Sequence, residues 1–197
     1  DPSAYRKPDL GGVSVSSENT LFYTFSSYTG SPDRVKFGGF YYGKNRDMSG
    51  AAKIEAVVTS GRFSAEILLK DYESEYYVCS FISNGDVEHV SEPKKVTIGS
   101  LEDYVEFGDF TVDSYVSLTQ KAEVSVSFAL AEGVDVTSCG IYYGETTALS
   151  VDDQCVFAEM VGDDCFSAVI PSLVAEKQYY ARPFIIDGED VAYAEVY

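Results

Sequence analysis

The pentapeptide Gly39-Phe40-Tyr41-Tyr42-Gly43 returns about a hundred residues later as Gly140-Ile141-Tyr142-Tyr143-Gly144. A self-alignment with a shift near 103 carries the likeness further. Phe63-Ser64-Ala65-Glu66-Ile67 falls on Phe166-Ser167-Ala168-Val169-Ile170, Tyr76-Tyr77 on Tyr179-Tyr180, Phe81-Ile82 on Phe184-Ile185, and Gly85 on Gly188. Upstream, Leu21, Tyr23 and Phe25 fall on Val124, Val126 and Phe128. The pentapeptides need a shift of 101, so two residues of loop difference follow them. A period near 100 residues is too long for a solenoid unit and has the size of a small domain. The 197-residue chain therefore reads as a duplication, with one domain at 1–99 and a second at 100–197.

Each copy reads as short strands. Residues 21–25 and 124–128 alternate apolar with polar or aromatic neighbours. Residues 54–58 and 63–69 flank Thr59-Ser60-Gly61-Arg62 as a hairpin would, and 156–160 and 166–170 flank Val161-Gly162-Asp163-Asp164 in the same way. Residues 76–82 and 87–98 make another pair around Asn84-Gly85-Asp86. No stretch of ten or more residues has a helical period. About seven short strands in each copy is the pattern of an immunoglobulin-like sandwich, so the expected fold is all-β. Gly99-Ser100-Leu101-Glu102-Asp103 reads as the junction. Tyr104, Val105, Phe107 and Phe110 beyond it are too apolar for a free tether. They are expected either to pack against one or both domains or to open the first strand of copy two.

Composition narrows function. Hydrophobic residues make up 45% and charged residues 23%, which excludes wholesale disorder. The aromatics are 16 Tyr and 12 Phe with no Trp, residues that suit strands and half-wet surfaces. No apolar run approaches the roughly 18 residues that a membrane-spanning helix needs. No leader pattern opens the chain at Asp1-Pro2-Ser3-Ala4, so either the mature protein has none or the chain starts past it. The net charge of −18 is uneven. Residues 1–99 hold 13 acids and 11 Lys/Arg, whereas 100–197 hold 19 acids and only Lys121, Lys177 and Arg182. A field of that sign repels phosphate backbones, so nucleic acid is not expected as a partner. The acidic pairs Asp152-Asp153 and Asp163-Asp164 lack the spaced carboxylates of a dedicated calcium loop. Cys79, Cys139, Cys155 and Cys165 have no C-x-x-C spacing, so no zinc site is expected. Only Cys155 and Cys165 could pair locally, and free, mostly buried thiols are the expectation.

Catalysis has no footing in the residues. His89, the single histidine, lies beside Glu88 without a counterpart in copy two, and Ser91 nearby does not make a triad. Carboxylate pairs are plentiful because the chain is acidic, which singles out no glycosidase pair. No glycine-rich phosphate loop opens a helix. The expectation is no enzyme, no catalytic residue, no metal and no cofactor.

Three motifs recur in order in each copy: Gly39–Gly43 with 63–67 and 76–85, then Gly140–Gly144 with 166–170 and 179–188. In this both copies resemble the divergent fibronectin type III-like domains that occur in tandem in surface lipoproteins of anaerobic gut bacteria, of cell-adhesion type. Cys139 before Gly140 fits the same resemblance. It implies two tandem immunoglobulin-like or fibronectin type III-like β-sandwiches and a monomer at an extracellular or outer-membrane surface. A lipid anchor would lie upstream of Asp1. The Trp common on the second strand of ordinary members is absent, with Phe25 and Phe128 standing in. Leu173 precedes Tyr179 by six residues as the family's corner requires, but Lys70 holds that place in copy one, with Leu69 or Tyr72 as substitutes.

The resemblance assigns Tyr76 and Tyr179 to an inward tyrosine corner, each hydroxyl bonded to nearby backbone. Neighbours on a strand face opposite sides, so Tyr77 and Tyr180 then point outward with Phe81 and Phe184. If Phe40 and Tyr42 are core, Tyr41 points out too, as does Tyr142. One reading makes these six a binding surface for a glycan or a protein. The other makes them cross-strand packing, covered by loops or by the neighbouring domain. The function expected is a non-enzymatic adhesion or recognition module. The alternative is a structural spacer, or an accessory carbohydrate-binding module of a polysaccharide-utilisation system.

Overall fold

The structure is a computed structural model that describes residues 9–18, 21–29, 35–69 and 71–197. The chain forms two compact units, Asp1–Ile98 and Gly99–Tyr197. The first holds β1 (Asp9–Leu10), β2 (Ser14–Glu18), β3 (Leu21–Thr29), β4 (Phe37–Gly43), β5 (Ala52–Ala56), β6 (Arg62–Leu68), β7 (Glu75–Ser83), β8 (Glu88–Val90) and β9 (Lys94–Thr97). One sheet joins β1 and β2 to β3 and β3 to β6; the other runs β5-β4-β7, with β8 and β9 both on β7. The second unit holds β10 (Val105–Val116), β11 (Lys121–Leu130), β12 (Ser138–Gly144), β13 (Gln154–Phe157), β14 (Glu159–Met160), β15 (Cys165–Ile170), β16 (Tyr180–Asp187) and β17 (Asp190–Tyr193). Its sheets run β10-β11-β15-β14 and β13-β12-β16-β17. The central order is shared: β3 lies between β6 and the pair β1 and β2 as β11 lies between β15 and β10, and β5-β4-β7 corresponds to β13-β12-β16 in the other layer. Both units are fibronectin type III-like or immunoglobulin-like β-sandwiches.

Alternation builds the cores. In the second unit Val124, Val126 and Phe128 of β11, with Phe166, Ala168 and Ile170 of β15, meet Cys139, Ile141 and Tyr143 of β12. In the first, Phe40 of β4 meets Phe63 of β6 across the layers, ring centroids 5.3 Å apart. The two β6-type strands correspond as expected, but the strand beside them does not. Ser26 stands opposite Phe63 and Thr24 opposite Ala65, where Val126 stands opposite Phe166 and Val124 opposite Ala168. Among the described side chains of β3 the buried ones are Thr24, Ser26 and Tyr28, out of step with Leu21, Tyr23 and Phe25, whose side chains lie outside those described. Tyr28, not Phe25, holds the place of Phe128. Apolar alternation misleads here because two inward positions carry hydroxyls, which are satisfied internally. The Thr24 hydroxyl donates to the Ala65 carbonyl at 3.1 Å and Ser26 Oγ donates to Ser80 Oγ at 3.0 Å.

The hairpin expected between 54–58 and 63–69 is a change of layer. Thr59 and Arg62 do close a tight turn by mutual backbone bonds of 2.8 and 3.0 Å, with Ser60 and Gly61 both at positive φ, 52° and 74°. Yet β5 pairs with β4 and β6 with β3, in opposite sheets. In the second unit the same edge splits, β13 pairing with β12 and β14 with β15. A hairpin and an edge strand that crosses between layers both keep alternate residues inward, so the sequence pattern does not separate them. The turn at 84–86 is as expected: Asn84 Oδ1 accepts from the amides of Asp86 and Val87 at 2.9 and 2.8 Å. At the junction a 3-10 turn, Leu101–Tyr104, buries Leu101 in the second unit. Val105, Phe107 and Phe110 lie on β10 and pack on that unit's core, so the apolar segment opens the first strand of copy two.

Candidate functional site

The repeated pentapeptides lie on β4 and β12, inner strands of the β5-β4-β7 and β13-β12-β16-β17 sheets. Phe40 and Ile141 point into the cores, and the flanking positions face out. On the outer face Gly39 stands opposite Phe81, and Gly140 opposite Phe184. Each phenylalanine ring lies directly on its glycine. A Cβ on Gly39 would come within 2.7 Å of Phe81 Cε1 and 2.1 Å of the Ile54 carbonyl oxygen. A Cβ on Gly140 would come within 2.6 Å of Phe184 Cζ and 2.5 Å of the Val156 carbonyl oxygen. The first glycine of each pentapeptide is therefore a seat for a ring, one of the uses of glycine inside a strand.

This seating alters the expected aromatic stripe. Phe81 and Phe184 do lie on the outer faces, but they are 0% and 1% exposed and offer no surface to a ligand. Each is closed over within its own unit. Tyr41 packs on Phe81 at 5.1 Å and Tyr142 on Phe184 at 4.9 Å. Tyr41, Tyr77, Tyr142 and Tyr180 are half-buried. Of the corner tyrosines, half-buried Tyr179 accepts at its hydroxyl from the Val174 amide at 3.1 Å. The Tyr76 hydroxyl instead donates to a carboxylate, Asp71 Oδ2, at 3.2 Å, and Asp71 also pairs with Lys44. Leu69 and Tyr72 are both buried beside that corner, whereas Lys70 lies outside the described residues.

What finishes each seat differs. In the first unit Lys53 stands opposite Tyr41, its ammonium 4.0 Å from the Phe81 ring centroid and 5.2 Å from that of Tyr41. Glu88 holds it, with Oε2 2.8 Å from Lys53 Nζ, while Oε1 accepts the Tyr41 hydroxyl at 2.6 Å. The Glu88 hydrogen bond, then burial, raises the Tyr41 pKa; the same carboxylate, then Tyr41, raises that of Lys53. In the second unit Cys155 stands opposite Tyr142 and Phe157 opposite Gly140. Phe157 is 71% exposed and meets Phe184 edge-on at 6.1 Å. Tyr193, opposite Phe184 on the other side, lies 6.3 Å from Tyr142. The Arg182 guanidinium covers Tyr193 at 4.6 Å, donating from Nε to the Ala194 carbonyl at 3.2 Å and from Nη1 to that of Leu149 at 3.4 Å. Burial raises the Tyr142 pKa.

Lys53, Glu88, Phe157 and Tyr193 were not among the residues that the sequence singles out. They join the face through strand pairing, and the edge strands that carry Lys53 and Cys155 follow loops of different length. His89 is half-buried on β8 opposite Ile82, and Ser91 Oγ accepts the Ser80 amide at 2.9 Å. Among the described residues no three or more His, Cys, Asp or Glu are grouped to hold a metal, and no helix is long and apolar enough to cross a membrane. All four cysteines are free, Cys79 and Cys139 buried with thiols pushed up to about 11, Cys155 exposed and Cys165 intermediate.

No family model matches the chain, and no curated protein does. Solved structures do. The FN1–FN3 domains of chicken CNTN1 are 13% identical over 96% of this chain and 63% of that one, with a TM-score of 0.37. A chimeric titin Z1Z2-Z1Z2 tandem, functionalised with a GRGDS peptide from fibronectin, is 12% identical over 95% and 96%, with a TM-score of 0.32. This chain thus spans 63% of the CNTN1 structure's length. The fold rests on the strand order, and these likenesses say nothing of ligands.

Proposed function

We propose that the chain is a non-enzymatic recognition module of a cell surface, and that its ligand contacts lie on the outer β13-β12-β16-β17 face of the second unit. The observation that carries this reading is Phe157. A phenylalanine 71% exposed, edge-on to the buried Phe184 ring that half-buried Tyr142 and Tyr193 also border, leaves aromatic area open on paired strands. Tyr and Phe on fixed backbone give large contact area at small entropic cost, which suits both protein and glycan partners. The bacterial surface setting and the adhesion role come from the motif resemblance.

The first unit favours the spacer reading for itself. Its equivalent aromatics are finished internally by Lys53 and Glu88. The expected division is a second unit that binds and a first unit that holds it away from its anchor. A glycan array and a whole-cell adhesion assay with the intact chain test this. Tyr142→Ala with Phe157→Ala should abolish whatever binding the wild type shows, while Tyr41→Ala should leave it. Binding that survives the second-unit pair and fails with Tyr41→Ala would reverse the assignment.

A further inference from the structure

The chain contains its own example of what the Gly-seated aromatic pair accepts. In the first unit the guest is an alkylammonium: Lys53 reaches from the neighbouring strand across Phe81 and Tyr41, and the Glu88 carboxylate fixes it. Strand pairing gives each of these positions a counterpart. Opposite Tyr142 stands Cys155 in place of Lys53. Glu88 pairs with Ser83, two residues after Phe81; Val191 pairs with Ile186, two residues after Phe184, and so replaces Glu88. The second unit therefore keeps the aromatic pair without a lysine over it; its own cation on this face, Arg182 opposite Tyr142, stands over Tyr193 instead.

Charge points the same way. Exposed Asp152 lies just before β13, in a unit with 19 acids and three basic residues. Of those three, Lys177 is paired with Glu145 at 2.5 Å and Arg182 is committed to Tyr193 and two carbonyls. Electrostatic complementarity of that kind steers a basic partner to the face and selects against acidic ones.

We infer that the outer face of the second unit receives a lysine side chain from a basic segment of a partner protein. Its methylenes lie along Phe157 and its ammonium stands over half-buried Tyr142, the counterpart of Tyr41; Phe184, unlike Phe81, is already covered by Tyr142 and Phe157 and takes no part. Long cationic side chains cover apolar surface with their stems while their heads stay hydrated, and an ammonium over an aromatic face is attractive. The inference rests on the recognition reading above and specifies its ligand class.

Titration of the isotopically labelled full chain with the blocked peptide Ac-GKGKGKG-amide, followed by amide NMR, tests it. Glutamine for lysine makes the control peptide, and cellohexaose the neutral-glycan probe. The lysine peptide should shift Tyr142, Cys155 and Phe157, and the glutamine peptide should not. Phe157→Ala, at an exposed position, should weaken the lysine peptide about three- to tenfold. Cys155→Lys, which restores the internal cation, should weaken it at least tenfold. Val169→Lys adds the same charge on the opposite sheet's outer face, where Val169 is 52% exposed, and should change affinity less than twofold. Equal losses in Cys155→Lys and Val169→Lys would mean diffuse charge attraction and would overturn the inference. Shifts at these residues with cellohexaose but not with the lysine peptide would overturn it too, leaving the recognition reading intact. Silence with both probes, with adhesion unaffected by Tyr142→Ala and Phe157→Ala, would overturn both.

Discussion

The two units carry one seat and two coverings. In each, a strand glycine receives a phenylalanine ring and a tyrosine leans on it. The first unit closes the arrangement with Lys53 and Glu88; the second surrounds it with Phe157, Tyr193 and Arg182. A duplicated domain that keeps its packing device and changes its covering separates the residues that hold the fold from those that meet the surroundings. The cores differ in the opposite sense. The first unit buries Thr24, Ser26 and Ser80 between its layers, where the second places Val124, Val126 and Pro183.

The comparison breaks first if the seats are not equivalent. Phe81→Ala and Phe184→Ala remove side chains 0% and 1% exposed, and each should cost about 3–5 kcal/mol in denaturant unfolding. A cost below about 1 kcal/mol at either position would mean that its covering collapses onto the glycine. Next come the glycines. Gly39→Ala and Gly140→Ala push a methyl against a ring and a carbonyl oxygen, and overpacking of this kind costs about 1–3 kcal/mol. If only one of the two destabilises, the repeated pentapeptide has different causes in the two copies.

The cores offer a smaller test. Ser26→Ala leaves the Ser80 hydroxyl without its partner inside the sandwich and should cost about 1–2 kcal/mol, whereas Ser26→Ala with Ser80→Ala should cost less than the sum of the singles. Strict additivity would show that the two hydroxyls act separately. Chemical denaturation of the four variants in parallel measures it.

The fold was legible because the spaced Gly, Tyr and Phe positions repeat in order, and because alternation marks strands wherever inward positions are apolar. It was illegible where those conditions fail. Along β3 the apolar alternation runs through Leu21, Tyr23 and Phe25, whereas among its described side chains Thr24, Ser26 and Tyr28 are buried, two of the three bearing aliphatic hydroxyls. The outward direction of Phe81 and Phe184 followed from alternation, but their burial did not. Outward normally means wet, and these rings are dry because a glycine opposite lets each sink onto the backbone. A Gly paired with Phe across two strands is visible only once the register is known. Phe157 escaped for the same reason, since its edge strand lies beyond a loop whose length differs between the copies.

The smallest effect tests the covering itself. Lys53 and Glu88 side chains are 39% and 30% exposed, so solvent screens their attraction, and a double-mutant cycle should give a coupling of about 0.2–1 kcal/mol. Its pH dependence has a defined sign. Glu88 raises the pKa values of Lys53 and Tyr41 above their ordinary 10.5 and 10.0. A group whose folded-state pKa is raised contributes fully below its unfolded value and loses that contribution as pH rises through the folded one. The coupling should therefore hold through neutral pH, fade only above the ordinary 10.0 and 10.5 of Tyr41 and Lys53 as they deprotonate, and shrink in 1 M salt. Lys53→Met keeps the methylenes over Phe81 without the charge, so it should fall within about 0.5 kcal/mol of wild type, as surface substitutions do. A coupling above about 2 kcal/mol would make the ion pair, rather than the Gly39–Phe81 contact, the element that holds this face together, and the two units would no longer share a design.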